Sequence, residues 1–82
     1  MAPYKTVKKL DVRPLIKQGV EPFDVIRKEL DSLKPGQGLM LLAPFLPSPL
    51  IERMHSEGFL SKVERGKGSD WVVYFWKPEA TS

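Results

Sequence analysis

Apolar side chains recur with a helical period in two segments of the chain. The first segment carries them at Phe23, Ile26, Leu30 and Leu33. Spacings of three and four residues place these side chains on one face of a helix. Pro22 lies in the first turn of this helix, and residues 34–36 end it. A second, shorter helix is predicted over about residues 49–57, with Ser48 as its N-cap.

Four other segments are predicted to be strands. Residues 8–13 alternate between apolar and charged side chains in their second half, which is typical of a short strand at a sheet edge, and residues 14–19 are predicted to be a loop. Residues 38–43 are apolar at both parities, which favours a central strand. Residues 60–65 and 70–77 have a period of two and are joined by a glycine-rich hairpin connection.

The resulting order is βαβαββ, which predicts an α+β fold. Right-handed crossovers place both helices on one face of a mixed four-stranded sheet, giving a two-layer α/β sandwich. The other face then has no covering layer. The last strand is apolar at both parities, so one of its two rows must lie on that uncovered face. We expect Trp71, Val73 and Phe75 towards the helices, and Val72, Tyr74 and Trp76 outward with Met40 or Leu42 beside them.

Composition describes a small globular chain of 82 residues, 41% hydrophobic and 28% charged. We expect a single domain over residues 1–82, with a core over about 8–77 and flexible ends at 1–6 and 79–82. The absence of cysteine excludes disulfides, thiolate metal sites and thiol catalysis. The longest apolar run is far shorter than the roughly 20 residues that span a bilayer, and the first residues lack an apolar signal region. A cytoplasmic protein without membrane contact is therefore predicted.

Positive charge is concentrated near the N-terminus. The net charge is +3 at pH 7. Within the first twenty residues, Asp11 is the single acidic residue, whereas the basic residues are Lys5, Lys8, Lys9, Arg13 and Lys17. A basic segment is the electrostatic feature expected of nucleic-acid binders, although it also serves as a solvated face.

Four short motifs occur in an order and spacing that resemble the TusA/SirA-like superfamily. They are Leu10-Asp11-Val12-Arg13, Glu21-Pro22, Lys34-Pro35-Gly36 and Pro47-Ser48-Pro49-Leu50. Within that superfamily the chain is most similar, over about residues 8–77, to the uncharacterised branch called domain of unknown function 2249. The resemblance implies a βαβαββ two-layer sandwich whose last strand lies inside the sheet.

The residues that carry the superfamily's chemistry are replaced in this chain. Sulfur-carrier members hold a Cys-Pro-x-Pro motif, and aligning its second proline on Pro22 puts Gly19 at the cysteine and Val20 at the first proline. Since persulfide transfer needs a thiolate, this activity is excluded. The His-Asp pair that many members of the uncharacterised branch carry after the second strand corresponds here to Phe45 and Leu46.

Other candidate chemistry is sparse. His55 is the single histidine, and Glu52 adds one carboxylate at best, whereas a metal site needs at least three ligands. The glycine-rich segment 66–69 lacks the spacing and the following helix of a phosphate-binding loop. We therefore predict no metal, no cofactor and no enzymatic activity.

Three hypotheses about function remain open. The first is an interaction module that binds a protein partner or a second copy through the uncovered sheet face at Val72, Tyr74, Trp76, Met40 and Leu42. The second is single-stranded nucleic-acid binding, with the same aromatic side chains stacking on bases and Lys5, Lys8 and Lys9 meeting phosphates. The third is a small-ligand or anion site near the start of the first predicted helix, formed by Arg13, Glu21 and Asp11.

Overall fold

Four strands and three helices make up residues 4–78, the part of the chain that the computed structural model describes. In chain order they are β1 (Thr6–Asp11), α1 (Arg13–Lys17), α2 (Phe23–Asp31), β2 (Gln37–Ala43), α3 (Ser48–Ser56), β3 (Leu60–Arg65) and β4 (Trp71–Trp76). Residues 1–3 and 79–82, which include most of the predicted flexible ends, lie outside the described part.

The short helix α1 corrects the predicted order of elements. The strand predicted over residues 8–13 ends at Asp11, and a helical turn that begins at Arg13 replaces most of the loop predicted over residues 14–19. Pro14 ends the strand, but its restricted φ also suits the first turn of a helix. Leu15 and Ile16 then pack against the core, and Gly19 follows the helix with φ +76°.

The two longer helices lie close to their predicted positions. Helix α2 buries Ile26 and Leu30, and Leu33 reaches the core from just beyond the helix end. The predicted role of Ser48 is wrong: Pro47 occupies the N-cap of α3, and Ser48 is its first helical residue. The serine cannot act as the cap from inside the helix, and its backbone N–H donates to the carbonyl of Leu46 at 2.9 Å.

The strand order is β1-β2-β4-β3, with β1 and β2 parallel and the other two pairs antiparallel. This confirms the predicted mixed four-stranded sheet and α+β class, with β1 at an edge. It also places β4 inside the sheet. Twelve buried hydrophobic residues in the described part of the chain form one core between the sheet and the helices. They are Val12, Ile26, Leu30, Leu33, Leu39, Leu41, Ala43, Leu50, Met54, Phe59, Val73 and Phe75.

Both α2 and α3 contribute to this core, so they cover the same face of the sheet. On that face Val73 and Phe75 of β4 are fully buried, and Trp71 is half-buried with the guanidinium carbon of Arg65 4.8 Å from its ring centroid. No helix within residues 4–78 is long and apolar enough to cross a membrane.

Candidate interaction surface

The sheet face opposite the helices carries a continuous apolar surface. Strand alternation and register assemble it, because residues that are direct partners on neighbouring strands point to the same side. We call this surface the open face; it consists of Met40 and Leu42 of β2 and Val72, Tyr74 and Trp76 of β4. All five side chains are half-buried, whereas their neighbours of opposite parity on the two strands are largely buried in the core. The outward row expected from the sequence therefore lies on this face.

Tyr4 covers one end of the open face. Its ring lies 6.3 Å from the ring of Tyr74 in a nearly parallel stack, and 5.9 Å from that of Trp76 in a tilted one. The ring also rests on Gly38, where an added Cβ would be only 2.8 Å from Tyr4 Cδ2. Tyr4 is not among the residues that the sequence pattern predicts for this face. The available signal was Gly38 itself, since a glycine inside a strand marks a close approach to the backbone.

Tyr74 is the titratable group of the open face. Burial raises the pKa of its phenol above the ordinary value of 10.0, and the nearby Glu64 carboxylate acts in the same direction. The neutral hydroxyl is therefore the form that this surface presents across the physiological pH range.

Charged side chains border the open face on both sides. On β1, Lys9 and Asp11 are the cross-strand partners of Met40 and Leu42. On β3, the corresponding positions are Lys62 and Glu64, whose side chains form an exposed ion pair at 3.5 Å. Each edge therefore has one cation and one anion.

The three lysines of the nucleic-acid hypothesis do not share a face. Lys8 lies on the helix side, where its Nζ is 3.9 Å from a carboxylate oxygen of Glu29 on α2. Lys9 borders the open face, and Lys5 precedes β1, with its backbone N–H bonded to the carbonyl of Gly36. Alternation along β1 separates Lys8 from Lys9, which a simple count of basic residues does not reveal.

Arg13 and Asp11, the core of the predicted anion site, bind each other. The Asp11 carboxylate accepts hydrogen bonds from the Arg13 backbone N–H, Nε and one terminal nitrogen, and the other terminal nitrogen donates to Asp70 at 2.6 Å. The hydrogen bonds from Arg13 hold the pKa of Asp11 at about 2, below its usual 3.8. The same contacts raise the pKa of Arg13 above its ordinary value. Glu21 instead accepts from the backbone N–H of Phe23 at the start of α2.

A groove of about 200 Å³ lies between the starts of α2 and α3. It is lined by Glu21, Pro22, Phe23, Phe45, Pro47, Pro49 and Leu50. Phe45 and Leu46, which the resemblance aligns with a His-Asp pair, are 49% and 37% exposed. Apolar side chains at these positions supply neither an acid nor a base.

The contact made by His55 favours a structural role. Its Nε2 lies 2.7 Å from the Ser61 hydroxyl, which links α3 to β3. Among the described residues, no cluster of three or more histidine, aspartate or glutamate side chains could hold a metal ion.

Comparison with known proteins gives one informative result. The chain matches a protein family described as "Uncharacterized conserved protein (DUF2249)" over residues 9–77. No curated protein and no solved structure matches it. The matched range runs from within β1 to the residue after β4, and so includes the central strands of the open face. The chain therefore belongs to the DUF2249 family.

Proposed function

We propose that this domain is a small interaction module that associates with a second copy of itself through the open face. The observation that carries the proposal is the row of large apolar side chains on the side of the sheet that none of the helices within residues 4–78 covers. Monomers rarely expose contiguous apolar surface of this kind unless it forms an interface. Tyrosine and tryptophan, both present here, are enriched at the centres of such interfaces.

Charge favours a second copy as the occupant. The chain carries a net charge of +3, which opposes close approach of two copies in general. The border of the open face is different, because Lys9 and Lys62 are balanced by Asp11 and Glu64. The surface is therefore locally neutral, and it presents both signs of charge to a partner that carries the same pattern.

The same charges argue against nucleic acid. Asp11 and Glu64 border the open face and would repel phosphates there, while Lys8 is turned to the other side. Tyr4 stacks on Tyr74 and so occupies a ring face that a base would need. An anion site at Arg13 is disfavoured likewise, because two carboxylates already satisfy its guanidinium.

The proposal includes a non-catalytic role in the cytoplasm and a relationship to the TusA/SirA-like superfamily. The relationship is supported by the mixed sheet with its last strand inside. The non-catalytic role is supported by the absence of cysteine, since the persulfide chemistry of that superfamily needs a thiolate.

Sedimentation from micromolar to millimolar concentration tests the proposal. Partial cover by Tyr4 leaves a small interface, so we expect weak, concentration-dependent dimerisation. Val72→Glu should make the protein monomeric by placing a charge in the apolar centre, and Leu42→Lys should do the same with the opposite charge. The matched control is Val63→Glu, on the adjacent strand but on the helix side and 40% exposed, which should leave dimerisation unchanged.

Two results would contradict the proposal. One is a wild-type protein that stays monomeric at millimolar concentration, and the other is a dimer that both open-face variants leave intact. Binding of a single-stranded oligonucleotide that weakens steeply between 50 and 200 mM salt would instead support the nucleic-acid hypothesis.

A further inference from the structure

Strand register orders the open face and its border into two rows that run across the sheet. The basic row is Lys9, Met40, Tyr74 and Lys62, and the acidic row is Asp11, Leu42, Val72 and Glu64. Each row has an apolar centre and the same sign of charge at both ends. The rows are two residues apart along the strands, a separation of about 7 Å.

This pattern distinguishes the ways in which two copies can meet face to face. A two-fold axis parallel to the strands keeps each row opposite itself, so Lys9 would face Lys62 of the second copy and Asp11 would face Glu64. Both contacts are repulsive. An axis across the strands, midway between the rows, places each basic row opposite the other copy's acidic row. Lys9 then faces Asp11, whose carboxylate also binds Arg13 of its own chain, and Lys62 faces Glu64, which is exposed. The two Lys62–Glu64 contacts are therefore the principal attractive pairs of the dimer.

We infer that two copies of this chain pair through the open face about a two-fold axis that runs across the strands between the basic and acidic rows. The inference rests on the proposed function and specifies its geometry. At the centre, Met40 packs near Leu42 of the second copy and Tyr74 near Val72. Packed sheets lie about 10 Å apart and are rotated by about 30° relative to each other. Lysine and glutamate side chains at the border are long enough to meet across this gap.

Tyr4 marks the limit of this interface. It stacks on Tyr74 and Trp76 and covers Gly38, which lies on the side of the basic row away from the axis. The basic row is next to the Tyr4 ring, which stacks on Tyr74, and the acidic row lies two residues further along the strands.

Charge reversal on β3 tests the inference by sedimentation equilibrium. Lys62→Glu and Glu64→Lys should each weaken dimerisation, by about tenfold, because either change turns two attractive pairs per dimer into two repulsive ones. The double variant Lys62→Glu/Glu64→Lys restores opposite charges across the axis and leaves the net charge at +3. We expect it to dimerise like the wild type.

The outcomes separate this geometry from the proposed function. An axis parallel to the strands predicts the reverse: both single variants and the double variant would dimerise more tightly than the wild type. That result, or no effect of any charge reversal, would overturn the inferred axis but not the proposed function. The two single variants also distinguish this geometry from nonspecific charge repulsion between copies, since Lys62→Glu lowers the net charge of the chain whereas Glu64→Lys raises it. A wild-type monomer, or a dimer that both Val72→Glu and Leu42→Lys leave intact, would overturn both proposals. Both substituted side chains are exposed, 67% for Lys62 and 46% for Glu64, and circular dichroism verifies the fold of each variant.

Discussion

At the scale of single residues, Arg13 joins three separate parts of the chain. It begins α1, its guanidinium binds Asp11 at the end of β1, and it also binds Asp70 just before β4. Asp11 is 31% exposed, so water still screens the pair and its contribution to stability is modest. Its effect on pKa is nevertheless large enough to measure.

We predict that Asp11→Asn removes part of the acid sensitivity of the fold. The folded-state pKa of about 2 lies below the ordinary 3.8, so this interaction stabilises the fold above about pH 4 and is lost as the pH falls towards 2. The substitution should cost on the order of 1 kcal/mol at pH 7 and almost nothing at pH 2. Urea unfolding at both pH values measures the difference. Glu52→Gln, on the exposed side of α3, is the control and should cost less than about 0.5 kcal/mol at either pH. An equal loss at both pH values would contradict the assignment.

Tyr4 can lie on the open face because Gly38 beneath it has no side chain. The ring of Tyr4 occupies the space that a Cβ at position 38 would need, and from there it shields the Tyr74 phenol. Because the chain contains only two tyrosines, removing Tyr4 leaves Tyr74 as the single phenol to titrate.

We predict that Tyr74 titrates at lower pH in Tyr4→Ala than in Tyr4→Phe. Both variants lack the Tyr4 phenol, but phenylalanine keeps a ring over Tyr74 whereas alanine exposes Tyr74 to water, and burial is what raises this pKa. Ultraviolet titration at a protein concentration that gives monomers measures the value. Identical titrations would show that Tyr4 does not shield Tyr74 in solution.

At the scale of elements, α2 and α3 are tied to each other and to the sheet. Arg27 of α2 binds Glu57 at the end of α3, which raises the pKa of Arg27 and lowers that of Glu57. Such exposed pairs contribute little to stability. The buried faces of the helices contribute far more, because they remove apolar surface from water.

We predict that Leu30→Ala destabilises the fold by about 2–5 kcal/mol. Leu30 is 0% exposed at the centre of the helix–sheet core, so the change loses the transfer free energy of the side chain and leaves a cavity. Lys28→Ala, on the exposed side of the same helix, should cost less than about 0.5 kcal/mol. Chemical denaturation compares the two. A loss for Leu30→Ala below about 0.5 kcal/mol would contradict the assigned helical face.

At the scale of the whole molecule, the fold is a sheet with helices on one side. The helices bury most of one row of each central strand, while the opposite row is half-buried and, within residues 4–78, has the ring of Tyr4 at one end. The charges that border this open face balance, although the chain as a whole is basic. In the proposed interaction module, the open face is the surface that binds the second copy.

Most of the fold could be predicted because it follows from local periodicity. The 3.6-residue spacing of Ile26 and Leu30 places α2, and the alternation in residues 71–76 identifies a strand that is apolar on both faces. Helix α1 was missed because proline ends a strand and begins a helix equally well. The family resemblance placed β4 inside the sheet, which periodicity alone does not specify.

What the sequence determined by itself was the set of elements, their buried faces and the absence of thiol chemistry, since these depend on residue type and short-range spacing. Tertiary structure alone decided which charges meet. Pairing across the sheet brings Lys9 into the row of Lys62, and Asp11 into that of Glu64, although more than fifty residues of chain separate the two members of each pair. It also folds Tyr4 onto Gly38. These relations depend on the register between distant strands, which hydrogen bonding and the shared core select together and which no local pattern contains.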